Sequence, residues 1–425
     1  MRRQVAVGLV LAWAGCFLVQ GAVPRGAVAA DAGKKIPRPA EERAPGEKPS
    51  KDAHDAKKAS PAPAASREKA PADASSAPKP SLSPEMTALR DRVRKVLVHY
   101  FREPINTSDN TPAEILSFCL AFGCETEVRY GGSAGNAMNG IGCLCYNYPC
   151  AEYRLLAVHD KKAIVRVGYA LQQAPGQLLA VLAQSAVPDS YEIRVGDWRG
   201  TVADLVASEK LSCVSGIDLS QKLIGLADYL PDDATWKNAA GEAWSLERIV
   251  REELGRTPAT YGPEVTRHLM GLTSAVERRC RHGHPCDGQF SRAKKFLAEY
   301  EEHALSLQNA DGTWHPDFFA AKGPSRDTSG MLRATGQILE WLVTLVPAER
   351  LQDRQFARSV SFLTNLLEEP YSRLNFTATS TQEIDAVMHA VRALRIYDRR
   401  LFKPADSDKP GAPEAETAAK TRPPK

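Results

Sequence analysis

The sequence lacks a dominant charge. Its 55 Lys and Arg are nearly balanced by 51 Asp and Glu, a formal net charge of +4 over 425 residues. That is too weak to hold a phosphate backbone, and it argues against nucleic acid as a partner. Aromatics are scarce, at 7% of the chain, and residues 31–83 have none. That segment is made of Pro, Ala, Lys, Glu and Ser. It cannot bury enough apolar surface to offset the entropy of ordering, so it is expected to be a disordered tether. Acids interleave its lysines, which disfavours a polyanion-binding arm. Residues 404–425 have the same character and are expected to be a disordered tail. The apolar run Val5–Val19 is short for a membrane span and has no stop-transfer flank. It follows Arg2 and Arg3 and precedes Ala27-Val28-Ala29, so residues 1–30 read as a signal peptide. Export to the periplasm or the medium is expected, with no transmembrane segment left after cleavage. A lipoprotein site at Cys16 is the alternative; Trp13 fits it badly and the apolar run continues through Phe17-Leu18-Val19.

What remains, residues 84–403, is one large helical domain or two smaller ones. Eight of the nine cysteines fall here. In an oxidising compartment they can pair, although spacing does not fix the connectivity. Cys143, Cys145 and Cys150 crowd one loop, with Cys119 and Cys124 just upstream. Structural disulfides to Cys119 or Cys124 are expected there. Cys280 and Cys286 bracket a second loop holding His282 and His284. Four zinc ligands within seven residues, stiffened by Pro285, would need an awkward wrap, so a disulfide is the simpler use. No metal and no cofactor is expected.

Apolar positions Leu89, Val93, Val96, Leu97 and Tyr100 recur at helical spacing over 86–101. Thr111-Pro112 opens a second helix, with Pro at a tolerated first-turn position. Residues 123–149, rich in Gly, Asn and Cys, lack periodicity and read as a long loop. Residues 153–158 and 163–169 predict a β-hairpin across His159-Asp160-Lys161-Lys162. Helices are predicted over 176–186, 201–210, 217–229, 246–255, 264–280, 287–308, 328–346, 352–368 and 382–398.

Gln308-Asn309-Ala310-Asp311-Gly312-Thr313-Trp314 then stands out, a Q-x-x-D-G-x-W string after a long helix. Asp311-Gly312 is a turn signal, Gln308 can satisfy helix-end backbone groups, and Trp314 can cover the turn with a large apolar face. A structural role is expected for all four residues. Alignment of six helices adds a repeat: Glu114-Ile115-Leu116, Gln177-Leu178-Leu179, Lys222-Leu223-Ile224, His268-Leu269-Met270, Gln337-Ile338-Leu339 and His389-Ala390-Val391. Intervals of about 45 to about 70 residues suit a helical-hairpin repeat. The fold class expected is all-α: an α/α toroid of about six helical hairpins, with a small β-hairpin inserted near 153–169.

The seven-residue motif, placed between one outer helix and the next inner one, resembles the repeat of the terpenoid cyclase/protein prenyltransferase α/α-toroid superfamily. Within it the chain looks like exported bacterial members. The resemblance implies the toroid; it does not carry the activity. Cyclases of that family protonate with a D-x-D-D cluster, and Asp232-Asp233-Ala234-Thr235 lacks the pattern. A convincing equivalent of the prenyltransferase zinc ligands is missing as well.

If the six polar repeat positions face the ring, Glu114, Gln177, Lys222, His268, Gln337 and His389 form a collar. Ser117, Ala180, Gly225, Gly271, Glu340 and Arg392 then lie one turn below. The small residues among them would leave room for a ligand. His268 and His389 could move protons near neutrality, and Glu340 could act as a general acid or base. Helix capping is the plainer role for the same positions. His315 and Asp317, beside Phe318 and Phe319 at the entrance of the next helix, suit a ligand mouth. Three functions stay open. The first is a binding module for an extended glycan or peptide, using Glu114, Gln177, Lys222, Gln337, Arg392, His315 and Asp317. The second is an enzyme on polysaccharide or isoprenoid substrates, acting through His268, His389 and Glu340. The third is a scaffold with no ligand.

Overall fold

The computed structural model describes residues 82–256, 262–369, 371, 376 and 379–402. The expected signal peptide, residues 31–81 of the expected tether and the expected tail over 404–425 lie outside them. The described chain is mostly helical and opens with α1 (Pro84–Phe101), α2 (Pro112–Phe122) and the short α3 (Gly140–Cys145). Then come α4 (Gln177–Gln184), α5 (Val202–Leu211), α6 (Ser220–Tyr229), α7 (Leu246–Gly255) and α8 (Pro263–Arg281). The series ends with α9 (Gly288–Leu307), α10 (Thr328–Leu345), α11 (Arg354–Glu368) and α12 (Thr381–Leu401). Capping fixes several starts. Thr111 and Glu114 form a reciprocal capping box on α2, and Asp327 accepts from the Gly330 amide at 2.8 Å on α10.

Four two-stranded antiparallel hairpins interrupt the helices. They pair β1 (Glu127–Arg129) with β2 (Ala137–Asn139) and β3 (Leu156–His159) with β4 (Lys162–Val165). They also pair β5 (Glu192–Val195) with β6 (Trp198–Thr201) and β7 (Thr235–Lys237) with β8 (Ala243–Ser245). Only β3–β4 had been expected. It turns over Asp160 and Lys161, both at positive φ (48° and 60°). The other strands have three or four residues each. In three hairpins the second strand runs straight into a helix, its last residue serving as the N-cap: Asn139 for α3, Thr201 for α5 and Ser245 for α7. The loop expected over 123–149 is therefore a hairpin followed by α3, which packs on α2.

Packing sorts the helices. Helix α4 lies against α2 and α6, α8 against α6 and α10, and α12 against α10 and α2. The remaining long helices flank these: α1 on α12, α5 and α7 on α6, α9 on α8 and α11 on α10. The helix-to-helix contacts are close where the sequence is small. A Cβ on Gly271 would meet the Ser220 carbonyl at 2.8 Å, and one on Gly225 would meet Leu179 at 2.7 Å. The expected floor of small residues is thus a helix-packing surface rather than spare volume.

The Q-x-x-D-G-x-W turn joins α9 to α10. Gly312 has φ 92°, and a Cβ there would stand 2.5 Å from the Arg358–Ser359 backbone of α11. Asp311 Oδ1 accepts from Thr313 N at 3.0 Å, closing the turn on itself. Gln308 Nε2 donates to the Gln355 carbonyl and to Ser359 Oγ, at 3.1 and 2.7 Å. Trp314 is fully buried, and its Nε1 donates to the Ala304 carbonyl of α9 at 2.8 Å. Glutamine, glycine and tryptophan together rivet α9, α10 and α11. Among the described residues no helix is long and apolar enough to cross a membrane.

Candidate functional site

One cavity receives side chains from α2, α4, α6, α8, α10 and α12 together, and holds about 60 Å³ of open space. Gln177, Gln221, Thr266 and Asp385 reach it from the first or second turn of their helices, and Gln337 from the middle of α10. Five glutamines line it: Gln173, Gln177, Gln184, Gln221 and Gln337. Each amide offers two donors and an acceptor without charge. Gln337 Oε1 is taken by Thr266 Oγ1 at 3.2 Å.

The charged edge of this cavity is a network on α10 and α12. Glu340 is buried, and its Oε2 meets His389 Nδ1 while its Oε1 lies 2.8 Å from Arg392 Nε. Asp385, one turn before His389, places Oδ2 3.7 Å from His389 Nε2 and accepts at Oδ1 from Ser117 Oγ of α2 at 2.9 Å. His389 is therefore flanked by two carboxylates, with 22% of its side chain accessible. Burial alone would lower the imidazole, but Glu340 and Asp385 outweigh it and raise His389 to about 8. Burial would raise the Glu340 carboxyl, but His389 and Arg392 hold it below the usual carboxylate range. At neutral pH Glu340 is thus an anion with its lone pairs engaged, and His389 is charged.

A second cavity of about 250 Å³ lies toward the other ends of the same helices and shares Gln184, Ile224 and Met270 with the first. Arg278, Arg281 and Arg392 line it. Arginines at this end satisfy helix C-termini. Arg278 donates to the Asp228 carbonyl of α6, Arg392 and Arg395 to Leu120 and Ala121 of α2, and Arg400 to Val343 and Thr344 of α10. Arg281 is the exception, with 67% of its side chain exposed and Glu277 4.0 Å away.

Of the six collar positions, the structure brings Gln177, Gln337 and His389 to the first cavity. The other three face elsewhere. Glu114 closes its own helix start, accepting from Asn110 Nδ2 at 3.1 Å and from Thr381 Oγ1 at 2.5 Å. Lys222 is 2% exposed and turned outward, its Nζ bonded to Glu209 and Ser212 at α5. His268 is also buried and outward, with Nδ1 2.9 Å from Glu253 Oε2 of α7 and Phe296 of α9 edge-on. Glu253 also accepts from Leu219 N and Ser220 Oγ, each at 2.8 Å, and so caps α6. These corrections share one cause. A buried polar residue near a helix start finds its partner on whichever neighbour offers one, and for Lys222 and His268 that neighbour is a flanking helix, α5 or α7. The proposed proton-moving trio is split: His389 and Glu340 touch, and His268 belongs to a separate network. Arg392 pairs with Glu340 between the two cavities. His315 and Asp317, 3.4 Å apart, line neither. Gln173, Gln184, Gln221 and Asp385 lie off the repeat register, so the repeat did not reveal them.

Cys280 and Cys286 are disulfide-bonded. His282 Nδ1 and His284 Nε2, on the loop so closed, both meet Asp232 Oδ2, at 2.9 and 3.3 Å. Among the described residues no group of three or more His, Cys, Asp or Glu is placed to hold a metal ion. Comparison with protein-family models, with curated proteins and with solved structures finds no match to this chain.

Proposed function

We propose that the described helices close into an α/α toroid of the terpenoid cyclase/protein prenyltransferase-like class, and that this exported protein binds the end of an extended polar ligand, a glycan or a peptide, at the glutamine-lined mouth. Support for the closed ring is that α2, α4, α6, α8, α10 and α12 each pack on the next and the last packs on the first. The observation that carries the binding role is a lining drawn from all six helices in which five uncharged amides stand among apolar and charged side chains. Amides suit hydroxyls and peptide groups. About 60 Å³ accommodates a few water-sized groups, well short of the several hundred Å³ usual for a swallowed ligand. The ligand therefore engages by its tip, and an enclosed isoprenoid is disfavoured. Chemistry is disfavoured too, because Glu340 is locked between His389 and Arg392.

Calorimetry against neutral and acidic oligosaccharides and against short peptides tests the proposal. Replacement of Gln337 by Ala should weaken binding about 10-fold, the worth of one to two hydrogen bonds. Absence of binding to every member of the panel would leave the scaffold reading in its place.

A further inference from the structure

Cys143 and Cys150 are both buried, with their sulfurs 3.7 Å apart. We infer that these two thiols are a disulfide-forming pair, closed during folding by exchange with a low-molecular-weight disulfide, and that the link clasps α3 to the segment that anchors the β3–β4 hairpin. The sulfurs need approach by less than 2 Å to reach bonding distance of about 2.05 Å, within reach of side-chain rotation.

Geometry selects this pair. Cys143 and Cys145 are two residues apart on α3, so they leave the helix on different sides and only one can face Cys150. Cys119 lies against the Gly140 backbone, where a Cβ would stand 2.9 Å from its sulfur, and although it is near both thiols the short sulfur contact is the one between Cys143 and Cys150. The backbone holds Cys150 in place: its N–H donates to the Tyr153 carbonyl at 2.8 Å and it receives the Tyr153 N–H at 2.9 Å. The Tyr148 amide reaches back to the Cys143 carbonyl at 3.0 Å, so the intervening chain already folds the two ends together. Within that span Asn147 adopts φ 54° and bonds both the N–H and the carbonyl of Leu156, the first residue of β3. A link across 143–150 therefore fixes the loop that holds the hairpin.

Burial dictates when the link forms. Both sulfurs are buried out of reach of a dissolved oxidant once the chain has folded, and contact with Cys150 and burial push the Cys143 thiol well above its ordinary range. The reaction belongs to the folding chain. One cysteine thiolate attacks a sulfur of the small disulfide, and one small thiol leaves. The second cysteine thiolate then attacks the mixed disulfide, and the second small thiol leaves. Two electrons pass to the small disulfide, and the two cysteine protons end on the two released thiols.

The test refolds the full chain from reduced, denatured protein in a buffer of reduced and oxidised glutathione. Free thiols are then alkylated in denaturant, and chymotryptic peptides are weighed. The expected result is a linked species joining the two peptides on either side of the Tyr146 cleavage, unalkylated at Cys143 and Cys150. Linkage of Cys280 to Cys286 in the same sample proves the oxidant competent. Alkylation of both Cys143 and Cys150 in that sample overturns the inference, as does linkage of either one to another cysteine. In a Cys280→Ser, Cys286→Ser background, reduction should lower the melting temperature by a few degrees, and the same loss should appear in Cys143→Ser without reductant. A melt unaltered by reduction overturns the clasp.

Discussion

Glu340 on α10 and His389 on α12 meet carboxylate to imidazole at the cavity edge, and Arg392, nearly one turn further along α12, takes the second carboxylate oxygen at 2.8 Å. An anion held by two cations is stable across neutrality, and its pH limits follow. His389 is raised to about 8, above its unfolded value near 6.5. Its contribution is therefore complete below about pH 6.5 and is lost as pH rises through about 8. Glu340 is held below the usual range, so its contribution is present above about pH 4.5 and is lost as pH falls further. Melting temperature measured from pH 4 to pH 9 should decline on both sides. The alkaline decline should be on the order of 1–2 kcal/mol and should vanish in His389→Gln. An alkaline decline unchanged by that substitution would show that His389 is not its source.

The turn after α9 makes the second prediction. Trp314→Ala removes a fully buried ring and one hydrogen bond to Ala304, and should cost about 3–5 kcal/mol in urea unfolding. Gly312→Ala should cost at least about 1–3 kcal/mol, because it adds a positive-φ side chain against the α11 backbone. Unaltered stability in both variants would sink the structural role of the motif.

A third prediction separates Lys222 from the ligand site. Lys222 and Glu209 form a buried ion pair. Glu209→Ala strands the ammonium and should cost about 3–5 kcal/mol, whereas the double change Glu209→Leu with Lys222→Met should cost far less. Neither should alter the affinity of a ligand at the first cavity. Loss of binding in the double variant, with the fold intact by circular dichroism, would return Lys222 to the mouth.

The close contact of α6 and α8 gives the fourth. Gly271→Leu drives a side chain into the Ser220 backbone, and overpacking of this kind costs about 1–3 kcal/mol or more. Thermal melting checks it. A stabilised or enlarged-cavity protein would mean that Gly271 faces open space.

The long helices were legible in the local sequence, and the short α3 was not. Each long helix has its own apolar period and stop signals, and those are local; α7, for example, spans 246–255 as its pattern predicts. The DG turn was legible for the same reason: Gly312 at positive φ and Gln308 at a helix end are chemistry within a few residues. Tertiary structure decided the rest. Lys222 and His268 share the register of Gln337, yet turn away from that cavity, because Glu209 pairs with the buried Lys222 ammonium and Glu253 hydrogen-bonds the buried His268 ring. Gln184, Gln221 and Asp385 line the cavity only because helices far apart in the sequence pack side by side. Which thiols approach is decided in the same way: Cys143 meets Cys150 because the backbone between them turns back, which no spacing of cysteines encodes.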